Sequence, residues 1–144
     1  MIVPDANLLL YAYDESSVFH EKARAWLSDC LSGQEPVGFT HPTLFAFLRV
    51  ATNARAFAAP LTLMEAAEHV QSWLARRVAQ VLQPPSNYVV DVVDLLKAAG
   101  GAGGNLVTDA QIAALAHAYK AVVHTADRDF QRFSGIRCHF PLDA

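Results

Sequence analysis

Short apolar runs alternate along the chain with longer segments of helical periodicity, and this alternation predicts the secondary structure. Strands are predicted at 2–5, 37–40, 78–82 and 121–124, with a candidate edge strand at 136–140. Apolar residues spaced three and four apart predict helices at 7–13, 19–31, 42–52, 62–74, 88–99 and 108–119. Strands that alternate with helices are typical of an α/β fold, here with a mostly parallel sheet of about four to five strands.

The boundaries of several predicted helices carry the residues that such positions prefer. Pro42 lies near the first position of its helix, and Thr62 with Glu65 has the spacing of a capping box. The glycine-rich run 100–104 lacks the Gly-Lys-Ser/Thr ending of a phosphate-binding loop and is interpreted as a connection between helices. No internal repeat or linker interrupts the pattern, so one domain is expected over residues 1–144.

Three acidic residues far apart in the chain occupy related positions in the predicted elements. Asp5 and Asp127 each follow a predicted strand, and Asp109 begins a predicted helix, with Thr108 as its expected cap. Taken singly, Asp5 fits a helix cap, Asp127 fits a polar turn and Asp109 fits a partner of the helix dipole. Because the carboxyl edge of a parallel sheet is where ligands bind in α/β proteins, we expect the three to converge there.

Carboxylates that converge repel one another unless a hard cation such as Mg²⁺ lies between them. Such a cation makes a bound water more acidic, so that the water can attack a phosphodiester in line. Asp5 and Asp109 are the predicted metal ligands, while Asp127 is expected to act through water or as a general base. All three are therefore candidate catalytic residues.

Substrate contacts are expected from polar residues beside these acids. Asn7 lies at the same strand end as Asp5, and Thr125 precedes Asp127 by two residues. Arg128 is the preferred phosphate contact among the arginines because it lies between Asp127 and Asp129.

The amino-acid composition argues against several classes of protein. The 144 residues are 53% hydrophobic with a formal net charge of -3, which argues against disorder and against nucleic-acid binding through bulk positive charge. Cys30 and Cys138 have no CxxC spacing and fit free thiols in a reducing cytosol. Neither a signal peptide nor a membrane span is expected, so the predicted location is cytoplasmic, away from the membrane.

Four segments, in this order, resemble PIN-domain ribonucleases, and most of all the VapC toxins of bacterial toxin–antitoxin pairs abundant in mycobacteria. They are residues 5–12, 47–53, 105–110 and 125–130. The resemblance implies a three-layer α/β/α domain that cleaves RNA endonucleolytically with Mg²⁺ or Mn²⁺, on structured targets such as tRNA or rRNA. It also implies a VapB-type antitoxin partner and a homodimer. The family's acids fall on Asp5, Asp109 and Asp127.

One position departs from the family pattern and leaves alternatives open. Many PIN domains carry a glutamate just before the Phe47-Leu48-Arg49 stretch, where this chain has Ala46, and Asp129 is a candidate substitute. A first alternative is therefore a catalytically weak PIN-fold protein that binds RNA or a partner. A second is a phosphoaspartyl enzyme or receiver domain, which needs a lysine at a later strand end; Lys120 precedes the last core strand instead.

Overall fold

The computed structural model describes residues 1–143 and contains a single sheet in which every neighbouring pair of strands is parallel. The sheet order is β3-β2-β1-β4-β5. The strands are β1 (Ile2–Pro4), β2 (Val37–Phe39), β3 (Ala79–Val81), β4 (Val122–His124) and β5 (Cys138–His139). The predicted α/β class and the strand number are thus confirmed.

Helices connect the strands, and their ends differ from the predicted ones by at most two residues. A 3₁₀ helix follows β4 at Arg128–Arg132, which the periodicity did not predict. None of the helices in residues 1–143 is both long and apolar enough to cross a bilayer. The α-helices are α1 (Ala6–Tyr11), α2 (His20–Ser32), α3 (His41–Ala51), α4 (Leu63–Leu74), α5 (Tyr88–Ala98) and α6 (Leu106–Ala118).

Two hydrophobic clusters cover the sheet and give the fold its three layers. One cluster joins β2 to α1, α2, α3 and α4 around Trp73, whose ring stacks on Phe39 and meets Phe47 edge-on. The other joins β1 and β4 to α5, α6 and the 3₁₀ helix, with Ile112 and Phe130 fully buried. Helices on both faces explain why β1 and β2 are fully buried, without the alternation of a half-exposed sheet. The predicted α/β/α arrangement is confirmed.

Five of the six predicted helix starts lie within one residue of the observed ones, but that of α6 is wrong. Thr62 and Glu65 form the expected capping box at α4. Helix α6 begins at Leu106, after an Asn105 cap that makes no side-chain hydrogen bond, so Thr108 lies inside the helix and does not cap it. Leu106 is only 6% exposed and packs in the core. Because its burial favours a helical conformation here, the helix begins two residues before the predicted start.

Candidate active site

The pairing of β1 with β4 brings the first and last predicted site segments together. Pro4 lies opposite His124 in the register, so the residues that follow each strand, Asp5 and Thr125, emerge side by side. The Thr125 hydroxyl donates to Oδ2 of Asp5 at 2.7 Å, and Oδ1 of Asp5 accepts from the backbone amide of Ala6 at 2.7 Å. Asp5 is therefore the N-cap of α1 and a member of the site at once.

Thr125 also orients the loop that carries Asp127. Its hydroxyl oxygen accepts from the Asp127 amide at 2.9 Å, and its own amide donates to the His139 carbonyl on β5. The side chain is fully buried. Both polar contacts of the predicted substrate residue Thr125 are thus made within the protein, where the hydroxyl fixes two candidate catalytic acids.

Replacing Thr125 with valine is expected to lower the free energy of unfolding by about 1–3 kcal/mol, because a buried carboxylate and a backbone amide lose their partner. Urea denaturation measures the change. Thr125→Ser is the matched control, since it keeps the hydroxyl. Equal stability of the valine and serine variants would show that these hydrogen bonds do not support the site.

Three carboxylates gather beside this pair. Oxygen atoms of Asp109, Asp127 and Asp129 all lie within 4.8 Å of one another. Asp109 comes from the first turn of α6, whereas Asp127 and Asp129 come from the start of the 3₁₀ helix, where Oδ1 of Asp127 accepts from the Asp129 amide. Asp129 was not among the predicted catalytic residues.

When these acids are ionised, their negative charges repel one another unless a cation lies between them. Their oxygens lie within 4.8 Å of one another, and solvent screens this repulsion less at the half-buried Asp109 and Asp127 than at the exposed Asp129. Burial, followed by the charges of Asp5, Asp127 and Asp129, raises the pKa of Asp109 to about 7. Burial likewise raises the pKa of Asp5 to about 6, although its hydrogen bonds from Thr125 and Ala6 oppose the shift. Asp5 and Asp109 therefore share one electrostatic environment.

The donor set fits a hard divalent cation. Carboxylate oxygens are the ligands that Mg²⁺ and Mn²⁺ prefer, and one or two of them are enough because Mg²⁺ retains several waters. No ion pair within residues 1–143 involves Asp109, Asp127 or Asp129. Asp109, Asp127 and Asp129 form the three-carboxylate group, and Asp5 lies close enough for its charge to raise the pKa of Asp109.

Asn7 and Arg128, the other predicted substrate contacts, differ in their surroundings. The side-chain oxygen Oδ1 of Asn7 is buried and has no hydrogen-bond partner in residues 1–143, a state that is rare in folded proteins. The Arg128 guanidinium stacks over the ring of Phe140 at 3.8 Å and pairs with Asp143 in the C-terminal segment. Arg128 is therefore engaged by the tail and does not neutralise the acids on either side of it.

Position 46 lies on the face of α3 that approaches β1. Thr43, one helical turn earlier, donates its hydroxyl to the carbonyl of Pro4 at 3.2 Å, and Pro4 immediately precedes Asp5. Ala46 is 7% exposed. A longer side chain at position 46 would consequently enter the interior on the side of α3 that supports Asp5.

Residues 2–136 match the PIN domain. The chain belongs to the PIN domain family. Ribonuclease VapC33 of Mycobacterium tuberculosis is 40% identical over 142 residues, covering 99% of both chains. Ribonuclease VapC37 of the same organism is 39% identical over 141 residues, covering 98% of this chain and 97% of the other.

These relatives place the chain among the VapC-type PIN proteins, as its motifs predict. Solved structures agree on the fold. VapBC-1 from nontypeable Haemophilus influenzae has a TM-score of 0.69 at 18% identity, covering 99% of this chain and 100% of the other. VapC20 of Mycobacterium tuberculosis has a TM-score of 0.68 at 15% identity, covering 95% and 99%. The phosphoaspartyl and receiver alternative has no support among them.

Proposed function

We propose that this PIN-domain protein is a Mg²⁺- or Mn²⁺-dependent endoribonuclease and the toxin of a VapBC-type toxin–antitoxin pair. The observation that carries the proposal is the convergence of Asp109, Asp127 and Asp129 beside Asp5, in a chain 40% identical to a VapC ribonuclease. Carboxylates from strand ends and a helix start suit phosphodiester hydrolysis, because this chemistry needs charge neutralisation and an acidified water.

The chain's own residues would divide the work as follows. Asp5 and Asp109 would hold a divalent cation, which when bound neutralises charge on the phosphate and makes water more acidic. Oδ1 of Asp127 accepts a hydrogen bond from the Asp129 amide, so Oδ2 would take the proton from the attacking water. Thr125 keeps Asp5 and Asp127 at a fixed separation while this occurs.

RNA would be recognised by groups around the acids. Asn7 offers a buried side-chain oxygen, Oδ1, that has no hydrogen-bond partner in residues 1–143 and can accept from RNA. Arg128 would exchange Asp143 for a phosphate; both side chains are more than half exposed, and a surface ion pair is worth only about 0–1 kcal/mol. Structured RNA such as tRNA or rRNA is the proposed target, because its loops present unstacked bases. The 2′-hydroxyls would distinguish RNA from DNA. The fold neighbour VapC20 is itself a toxin that cleaves the Sarcin-Ricin loop.

The direct test is cleavage of total bacterial RNA by the purified chain. We expect discrete new 5′ ends in Mg²⁺ or Mn²⁺, no cleavage in excess chelator, and the same ends when the chain is induced alone in cells and RNA 5′ ends are sequenced. Asp127→Asn should remove them, while Asp94→Asn, an exposed acid on α5, should not. RNA binding without cleavage under every metal condition would favour the catalytically weak alternative that Ala46 suggests.

The proposed protein partner is a VapB-type antitoxin. An acidic site on this chain would attract an arginine or lysine of the partner, which would compete with the metal. We expect expression of the chain alone to arrest growth, Asp5→Asn to relieve the arrest, and a small basic-tailed protein encoded beside it to copurify and protect. If Asp5→Asn is as toxic as the wild type, the toxicity does not arise at this site.

We further propose a single cytoplasmic domain that forms a homodimer. Helix α5 leaves Val89, Val90 and Val93 exposed by 73%, 60% and 42%, and Phe45 on α3 is 62% exposed. Apolar side chains exposed along one helix are typical of an interaction surface, and a second copy of the chain would cover them.

A further inference from the structure

A cleft of about 300 Å³ opens between α3, α5 and α6 and has no part in the catalytic scheme above. Within residues 1–143 its lining contains no carboxylate, and the buried side chain of Leu115 contributes apolar surface to it. A volume of this order is at the lower end of the range for small-molecule sites. The other lining residues used below are His41, Phe45, Tyr88 and Gln111.

The cleft lies at the same edge of the sheet as the candidate acids. Strands β1 and β2 are parallel, so Asp5 directly after β1 and His41 two residues after β2 leave the sheet at one edge. Strand β3 is parallel to β2, and the chain after it carries Pro84 to the cleft. Helix α6 contributes Gln111, two residues after Asp109. RNA held at the acids can therefore extend along this edge into the cleft.

The lining combines aromatic rings with hydrogen-bonding groups. His41 is exposed, and its ring is 18° from parallel to the ring of Phe45, with centroids 6.2 Å apart. The hydroxyl of Tyr88 donates to the backbone carbonyl of Gln111 at 3.2 Å. Because this bond uses the backbone, it does not occupy the side-chain amide of Gln111, which has both donors and an acceptor. A planar ligand with polar edges matches such a lining.

Stacking would supply affinity for RNA that the charge of this chain does not. The formal net charge is -3, and the clustered carboxylates repel a phosphate backbone. Aromatic side chains instead bind unpaired bases through their flat faces, and amides read the edges of the bases. A larger cavity beside α2, of about 600 Å³, is less suitable because Asp29, Glu35 and Asp143 line it.

We propose that this base cleft binds an unpaired nucleobase of the RNA substrate close to the cleaved phosphodiester. His41 stacks on the base, Gln111 hydrogen-bonds to its edge, and Tyr88 positions Gln111. Phe45 belongs to the surface assigned above to the second copy, so it supports the His41 ring and does not itself take the base. The inference rests on the proposed function, because it assumes that RNA is bound at the acids.

Fluorescence anisotropy with labelled oligouridine and oligoadenosine in Mg²⁺ tests the base cleft, with Asp127→Asn as the parent chain so that the RNA stays intact. Adding His41→Ala should weaken binding by roughly 5- to 100-fold, the range for loss of one stacked base. His41→Phe keeps a ring and should retain most of the affinity. The control is His117→Ala, which removes an exposed histidine at the other end of α6 and should bind like the parent.

Gln111→Leu keeps the volume of the side chain and removes its hydrogen bonds, so it should change the ratio of the affinities for the two oligonucleotides. An unchanged ratio would overturn the role of Gln111.

Sedimentation velocity on every variant separates RNA binding from assembly. If His41→Ala weakens RNA binding only where the dimer is also lost, the cleft is an interface between copies and the proposal is overturned. If His41→Ala binds RNA like the parent while the wild type cleaves RNA, the base cleft is overturned and the proposed function stands. If the wild type neither binds nor cleaves RNA, both are overturned.

Discussion

Replacing Asp109 with asparagine is expected to lower RNA cleavage at least about 100-fold, because a preorganised charge at the reacting phosphate is lost. In metal-free buffer the same substitution should stabilise the fold above pH 7. Asp109 is half-buried and surrounded by Asp5, Asp127 and Asp129, which together with burial raise its pKa from 3.8 to about 7. A group that helps catalysis thus weakens the fold while no cation is present.

The pH window follows from the direction of this shift. Between pH 3.8 and about 7 the folded chain binds the Asp109 proton more tightly than the unfolded chain does, so stability falls as pH rises. At pH 4 the carboxyl group is protonated in the folded state and the asparagine variant should gain nothing. At pH 8 it should gain roughly 1–2 kcal/mol, after allowance for solvent screening of a half-exposed group.

Chemical denaturation at the two pH values, with and without Mn²⁺, measures both effects. Mn²⁺ should raise the stability of the wild type, and Asp109→Asn should remove most of that rise. Asp94→Asn is the control for loss of a carboxylate elsewhere on the surface. Retained cleavage, or a stability difference independent of pH, would contradict the placement of Asp109 in the charged cluster.

Periodicity predicted the elements because the central strands β1 and β2 are fully buried and most helices bury one apolar face. It misplaced the start of α6, where Thr108 followed by Asp109 has the local pattern of a cap and a first-turn acid. Burial of Leu106 outweighed that pattern, and the helix begins earlier. The 3₁₀ helix was missed for a related reason, since burial of Phe130 after a capped Asp127 determines it and no local repeat does.

The convergence of the candidate acids was predictable to the extent that strand ends determine it. Adjacent parallel strands place Asp5 and Asp127 at one edge of the sheet, and this holds without knowledge of side-chain contacts. The contact of Thr125 with Asp5 depends on the pairing of Pro4 with His124, and a single sequence does not give that register. The 3₁₀ turn that brings the Asp129 carboxylate beside Asp109 and Asp127 has no local repeat in the sequence, so Asp129 was not predicted among the catalytic acids.

Ala46→Glu is expected to have effects of opposite sign with and without metal. Ala46 is 7% exposed, on the face of α3 where Thr43 bonds the carbonyl of Pro4, next to Asp5. Without metal, a new carboxylate would be overpacked and unpaired near acids whose pKa is already raised, and should lower stability by roughly 2–4 kcal/mol. With a divalent cation present, the added oxygen ligand should raise metal affinity and recover much of that loss.

Ala46→Gln is the control that separates charge from volume, because glutamine has nearly the shape of glutamate and no charge. It should be destabilised by overpacking alone, and Mn²⁺ should not rescue it. The decisive measurement is a Mn²⁺ titration of unfolding free energy for the wild type and both variants. If glutamate and glutamine at position 46 behave alike at every metal concentration, α3 does not face the acidic cluster there. The alignment of the Phe47-Leu48-Arg49 segment with the family would then be wrong.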